Sequence, residues 1–233
     1  MGINVGGNTN SGGLTLGGGQ PQSGGLNLGR ETAPQPQAPI APVSGGLQLS
    51  KGQKLDLTKG NPGLDVLKVG LGWDVNVGGQ AFDLDTEVFM LGADSRVVSP
   101  NHVVFYNNLV SPDGAVRHNG DNRTGEGQGD DETVEVKLSQ ISSDVQKLVF
   151  VVTIDQALAR RQNFGQVSNA YIRIVDQANG QELCRFDLTE DHSASVSIVA
   201  GEVYRHNGEW KFGAVEQGST NDLAGLCVQY GAM

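Results

Sequence analysis

The sequence predicts an all-β chain, an antiparallel β-sandwich with a few short peripheral helices, and three observations predict it. Short β-rich runs separated by turn signals follow one another after about residue 47, and no long helical periods alternate with them. The series closes on Gly201-Glu-Val-Tyr-Arg-His206, then Asn207-Gly208, then Glu209-Trp-Lys-Phe212. Asn-Gly suits the two positive-φ positions of a type I′ turn, so this last stretch reads as a hairpin. Many short strands without interleaved long helices favour packed antiparallel sheets over an α/β layer fold.

Taken in order, the first fifty of the 233 residues stand apart: they hold 13 of the 34 glycines, five of the eight prolines and two charges, Arg30 and Glu31. A short repeat recurs there, Ser-Gly-Gly-Leu-x-Leu, at residues 11–16, 23–28 and 44–49. Too little apolar area accompanies it to offset ordering entropy, so residues 1–46 read as a low-complexity flexible arm. The competing reading is that each Leu-x-Leu pair is a short strand that adds to a sheet edge, on this chain or another, which would allow self-association. From 47 to 233 the texture is that of one β-sandwich domain, of ordinary size for that class. Leu55, Leu57, Leu64, Val66, Leu67, Val69 and Leu71 lead into Trp73. Strands are then expected over 82–91, 103–106, 133–138, 148–154, 170–175 and 182–188. Residues 156–162 suit about two helical turns. Leu223, Leu226, Cys227 and Tyr230 lie at i, i+3, i+4 and i+7 behind Thr220-Asn221, an amphipathic helix with a cap.

The formal net charge is −10, and it belongs entirely to the residues after 50. Like charges repel, so phosphate backbones are poor partners and nucleic acid is excluded as a main ligand. No apolar run approaches the roughly 18–20 residues needed to cross a bilayer, and the N-terminus has neither the basic nor the apolar stretch of a secretory signal. Cys184 and Cys227 lack metal-ligand spacing and read as reduced thiols in a cytoplasmic protein.

Two windows carry almost all of the charge. Residues 69–95 contain Asp74, Asp83, Asp85, Glu87 and Asp94 with no Lys or Arg; residues 121–132 contain five acids against Arg123. Carboxylates gathered so densely need a compensating cation. Calcium takes six to eight oxygens from carboxylates, amides and carbonyls in a flexible shell. The second window offers Asp121, Asn122, Asp130, Asp131 and Glu132, with Gly125, Gly127 and Gly129 free to turn carbonyls inward. In the first, period two places Phe82, Leu84 and Val88 on the core face and Asp83, Asp85 and Glu87 on the other. Solvated acidic faces are the alternative these residues leave open. The twelve residues from Asp121 to Glu132 are not an EF-hand, because Arg123, Gly125 and Glu126 stand where that loop needs ligands and its glycine. Zinc spacing, a nucleophile elbow and a phosphate-cradling loop are likewise missing, and the expected chemistry is binding and not catalysis.

Several motifs in one order carry a family resemblance: Val69-Gly-Leu-Gly-Trp-Asp74, Phe82-Asp-Leu-Asp85, Phe105-Tyr-Asn-Asn108, Gly120-Asp-Asn-Arg-Thr-Gly-Glu-Gly-Gln-Gly-Asp-Asp-Glu132, Arg160-Arg-Gln-Asn-Phe-Gly165 and Glu202-Val-Tyr-Arg-His-Asn-Gly-Glu-Trp-Lys-Phe212. Over about residues 47–231 the chain resembles the TerD family of tellurium-resistance and general-stress proteins. The resemblance implies a cytoplasmic calcium-binding β-sandwich with two neighbouring ions. Carried over by motif, the ligands are Asp74, Asp83, Asp85, an amide oxygen of Asn107 or Asn108, Asp121, Asn122, Asp130, Asp131 and Glu132, with main-chain carbonyls around 124–127. The family does not settle the biological output; the action expected here is through calcium-ordered loops that present a surface to protein partners, with a membrane-associated stress complex as one setting. A slime-mould relative that binds cyclic AMP makes a small-ligand binder the alternative, and a metal-dependent hydrolase a further one. The arm repeats resemble Gly46-Leu-Gln-Leu-Ser-Lys-Gly52 at the start of the domain and read as copies of its first edge strand.

Overall fold

The computed structural model describes residues 45–75, 82–120, 129–188, 190 and 192–233. The chain divides into two units, Met1–Ala41 and Pro42–Met233. The first two repeats, Asp121, Asn122 and the carbonyls of 124–127 lie outside the described residues.

The second unit is a β-sandwich, with twelve strands among the described residues. They are β1 (Leu47–Leu49), β2 (Lys54–Asp56), β3 (Val66–Val75), β4 (Leu84–Leu91), β5 (Val103–Val104), β6 (Val116–His118), β7 (Glu132–Lys137), β8 (Lys147–Ile154), β9 (Val167–Asp176), β10 (Gln181–Asp187), β11 (Ser197–His206) and β12 (Glu209–Ser219). One six-stranded sheet runs β1-β10-β9-β3-β7-β6 and the other β2-β12-β11-β8-β4-β5. Pairing is antiparallel throughout except for β1, which lies parallel to β10. The Leu-Gln-Leu of the third repeat is therefore an edge strand of the first sheet.

The expected hairpin is β11–β12, and Asn207 and Gly208 take φ of 53° and 81° as a type I′ turn requires. The strand expected over 103–106 stops after Val104, because Phe105 and Asn108 exchange both main-chain hydrogen bonds (3.0 and 2.9 Å) and close a turn. Helix α1 (Ala157–Arg160) has one turn instead of two, bounded by left-handed residues Gln156 and Arg161. Helix α2 (Leu223–Tyr230) is where its periodicity places it, but its cap is Asp222, whose side chain accepts from Gly225 N at 2.9 Å. Asn221 is engaged otherwise, its carbonyl accepting from Ser197 Oγ and its side-chain amide donating to Gln229 Oε1.

The main core lies between the sheets, where Leu67, Val69, Leu71 and Trp73 of β3 meet Leu84, Val88 and Met90 of β4 and Phe150 and Val152 of β8. Alternate residues of β4 and β8, Phe89, Leu91, Val149 and Val151, point to the other face and pack with Leu226, Cys227 and Tyr230 of α2. The rings of Phe89 and Tyr230 are 4.8 Å apart. The period-two division of β4 is thus borne out, but both of its faces are buried. Asp85 and Glu87 share the face of Phe89 and are buried with it.

Candidate metal centre

The first acidic cleft opens where β3 ends beside the entry to β7. It has a volume of about 260 Å³ and is lined by Trp73, Asp74, Gly129, Asp131, Asn169, Tyr171 and Arg185. β3 and β7 are paired neighbours, so the last residues of one strand face the first of the other. Asp131 N donates to Leu71 O, and Trp73 N donates to Asp131 Oδ2, both at 2.8 Å. A register shift between Gly72 and Asp74, opposite Asn169 with its φ of 53°, turns Asp74 to the surface. There Asn169 Nδ2 donates to Asp74 Oδ2 at 2.6 Å.

Asp130 and Asp131 are adjacent and electrostatically opposite. The Asp130 side chain is 2% exposed and accepts from Arg173 Nε (2.6 Å) and Nη2 (3.0 Å), with Lys68 Nζ at 3.0 Å. Tyr171 donates its hydroxyl to the same carboxylate at 3.2 Å. Burial works against ionisation of Asp130, but Arg173 and Lys68 outweigh it and hold the carboxyl below the usual range. This packing lies directly on the main chain of Gly70 and Gly72, where a Cβ would collide with Asp130 and Tyr171 respectively. Asp131 is pushed the other way, first by burial and then by the charges of Asp74, Asp130 and Glu132, against the Trp73 N–H that donates to it. Asp130 is already balanced by cations of the chain; at Asp131 burial, with the neighbouring acids behind it, disfavours the charge.

The remaining expected ligands lie elsewhere. Glu132 points between the sheets, where its Oε2 accepts from Thr86 N at 2.7 Å and stands 3.5 Å from His118 Nε2. Asp83 is half-buried just before β4, and its carbonyl accepts from Asp155 N at 2.8 Å. Asp85 lines a second cavity of about 250 Å³ with Tyr106, Thr153, Asp155 and Asp222, beside the start of α2. Next to it Glu87 is fully buried; its Oε1 accepts from Thr153 Oγ1 at 2.8 Å and its Oε2 has no hydrogen-bond partner among the described residues. Burial, then Asp85 and Glu132, push the Glu87 carboxyl well above its ordinary range against the Thr153 bond. Asn108 braces its turn by donating Nδ2 to Asn101 O and Val103 O, which leaves its amide oxygen for another role, and Asn107 is exposed. Among the described residues no three Asp, Glu, His or Cys side chains are grouped closely enough to hold an ion unaided. The structure therefore brings Asp74 and Asp131 together at one cleft and places Asp85 at another.

Lys68, Asn169, Tyr171, Arg173 and Arg185 shape the cleft and were not among the expected site residues. Arg173 and Arg185 are register partners on β9 and β10. Arg185 lies over the Tyr171 ring, 3.6 Å from its centre, and donates Nε to Asp187 at 2.7 Å. Burial first, and then the Asp130 charge, push the Tyr171 hydroxyl up to about 12. Period two along β9 sets Tyr171 and Arg173 opposite Ile172 and Ile174, a signal present in the sequence; their convergence on Asp130 depends on strand order.

The donors around the first cleft are oxygens, in the carboxylate and amide classes that hard divalent cations take. With burial and its acidic neighbours raising the Asp131 carboxyl, the residues present fit such a cation.

The TerD domain family model matches residues 46–230. General stress protein 16U of Bacillus subtilis is 54% identical over 187 residues, which cover 79% of this chain and 97% of that protein. The tellurium resistance protein TerD of Serratia marcescens is 53% identical over 186 residues, with the same coverage of each, 79% and 97%. The crystal structure of the unknown-function protein SAV2460 superposes with a TM-score of 0.59 at 27% identity, covering 70% of this chain and 94% of its own. A Streptomyces coelicolor homologue of telluride resistance protein gives 0.57 at 24% identity over the same shares, a likeness of fold. A family match across the whole folded unit, with relatives above half identical, settles the membership: the chain belongs to the TerD family.

Proposed function

We propose that this chain is a calcium-binding module of the tellurium-resistance and general-stress type, whose acidic loops are ordered by the cation and then present a surface to protein partners. The observation that supports this reading most is the contrast between neighbours: Asp130 is balanced by Arg173 and Lys68, whereas Asp131 is destabilised as a carboxylate by burial and by Asp74 and Glu132. A bound divalent cation offsets that cost. Asp74 and Asp131 hold it from the first cleft, and Asp121 and Asn122, which lie outside the described residues, complete the shell. Asp83, Asp85, Glu132 and the amide oxygen of Asn107 or Asn108 serve a second ion. Asp130 acts through Arg173, Lys68 and Tyr171 by fixing where Asp131 begins.

The role is one of binding and not turnover. Free Cys184 and Cys227 suit a reducing cytoplasm, and no helix among the described residues is long and apolar enough to cross a membrane. Partners at a membrane-associated complex would therefore meet the module at its surface. A second reading, a small anionic ligand such as a cyclic nucleotide, is favoured by one observation: the Arg185 guanidinium lies along the wall of the cleft.

Calorimetric titration of chelator-stripped protein with calcium and then magnesium tests the first reading. Calcium-specific binding that disappears in the Asp121→Ala, Asp131→Ala double variant supports it; an unchanged titration in that variant removes the assigned ligands. Equilibrium dialysis with cyclic nucleotide, with and without calcium, decides the second.

A further inference from the structure

β1 is made by the third Ser-Gly-Gly-Leu-x-Leu segment, and its contacts show what the slot along β10 requires of an occupant. The register is Leu47↔Cys184, Gln48↔Arg185 and Leu49↔Phe186. The second leucine of the segment, Leu49, is 4% exposed and belongs to the main core, whereas the first, Leu47, is 54% exposed at the open edge. At the variable position Gln48 donates Nε2 to Asp187 Oδ2 at 3.1 Å. The second glycine, Gly46, passes so close to β10 that a Cβ would stand 2.7 Å from Glu182 Cγ. Glu182 cannot simply swing aside, because it accepts from Arg173 Nη1 at 2.9 Å. The slot thus asks for glycine at the first of these positions, a polar donor at the third and leucine at the fourth, and leaves the second open to solvent.

Residues 11–16 and 23–28 meet each of those requirements. Gly13 and Gly25 stand where Gly46 does, Leu16 and Leu28 where Leu49 does, and the variable position holds Thr15 or Asn27, both side chains that can donate to a carboxylate. Position x varies among donors while the two contact positions do not. Gly45 meets nothing within 4 Å, and its recurrence has no explanation in these contacts.

We propose that the β10 edge is an exchangeable-strand slot and that residues 23–28 and 11–16 are spare occupants of it, able to replace β1. A three-residue edge strand bonded on one side is the kind of element that opens at low cost. When residues 23–28 take the slot, residues 29–49 become a loop between the same two points, and the cost of such a loop grows only slowly with length. A tether of about twenty residues keeps the spare segment at an effective concentration in the millimolar range, above ordinary protein concentrations, so the exchange is intramolecular. The device keeps the Phe186–Cys184 side of the core covered whenever one segment is lost or drawn away. It is independent of the calcium reading.

Thermal unfolding of three full-length variants tests it. Leu49→Asp alone is expected to melt within about 3 °C of the wild type, because residues 23–28 supply the buried leucine. Leu49→Asp combined with Leu14→Asp, Leu16→Asp, Leu26→Asp and Leu28→Asp is expected to fall by roughly 6–12 °C, the loss of one buried leucine in a domain of this size. The four arm substitutions with Leu49 intact are expected to melt like the wild type. If the fivefold variant does not fold, hydrogen exchange of the single variant decides: amides of residues 23–28 gain protection as those of 47–49 lose it. Equal melting of the single and fivefold variants, or no gain of protection at 23–28, overturns the proposal. Rescue that grows with protein concentration and accompanies dimers overturns the intramolecular exchange and makes a second copy the donor.

Discussion

The main-chain N–H of Trp73 donates to Asp131 Oδ2 at 2.8 Å, and this bond ties the core tryptophan of β3 to the acid at the entry of β7. Trp73 is 4% exposed, so its position is set by the sandwich interior. Asp131 is thereby fixed at the rim of the cleft by the core, although its own surroundings disfavour its charge.

Asp131→Asn keeps an acceptor for Trp73 and removes the charge. Because the folded-state carboxyl is raised, this group lowers stability as pH rises above its unfolded value. In chelator at neutral pH the variant is therefore expected to melt at or above the wild-type temperature, while its calcium affinity falls at least about tenfold, one charge-assisted contact. Differential scanning calorimetry and calcium titration check both halves; a clear loss of stability in chelator contradicts the assignment.

Asp130→Ala is expected to behave oppositely. It leaves the Arg173 Nε and Nη2 donors and Lys68 without their carboxylate, while Tyr171 keeps Gly129 O at 2.8 Å, and should cost about 2 kcal/mol, the scale of hydrogen bonds to charged groups. For a domain of this size that is a fall of roughly 4–8 °C. The fall should be equal in calcium and in chelator, since the side chain serves cations of the chain itself. A fall confined to calcium would make Asp130 a ligand.

Glu87→Gln tests the second face of β4. The folded carboxyl holds its proton to higher pH than the unfolded one, so the wild type loses stability as pH rises from about the ordinary glutamate value through the raised one. The variant cannot ionise. Thermal unfolding in chelator between pH 4.5 and 7 should show a flatter profile than wild type and a higher melting temperature at pH 7; parallel profiles would contradict a buried neutral Glu87.

The period of 82–91, the hairpin turn and the helix over 223–230 were legible because each is a local pattern. The same pattern could not say that Asp85 and Glu87 would be buried, which follows only once α2 lies across β4 and sets Tyr230 on Phe89. Asp130 and Asp131 likewise look equivalent in sequence. In extended chain they point to opposite sides, and which one meets Arg173, 43 residues on, depends on β3 lying between β7 and β9. The repeat in 44–49 was visible, and one of its two readings was edge pairing, but the parallel partner β10 lies far along the chain.

Asp113 carries a smaller, independent prediction. Its carboxylate accepts from Ser111 Oγ (2.6 Å), Ala115 N (3.1 Å) and Ser142 N (2.9 Å), bonds that outweigh the opposing effect of burial and hold its pKa down. A depressed carboxyl contributes stability above its unfolded value, and that stability is lost as pH falls through the folded one. Asp113→Ala should lower the melting temperature at pH 7 and reduce its further fall below about pH 4. An unchanged acid limb would contradict the assigned bonds.

The most direct test of the central claim is thermal unfolding of chelator-stripped protein across a calcium titration, with magnesium as the control. At about a hundred times the dissociation constant each site should add roughly 2.7 kcal/mol, a rise of roughly 5–11 °C for a domain of this size. A calcium-specific rise of that size, lost in the Asp121→Ala, Asp131→Ala variant, is the result expected of a cation held beside Asp131. A melting temperature indifferent to calcium would contradict it and leave those carboxylates as a solvated acidic face.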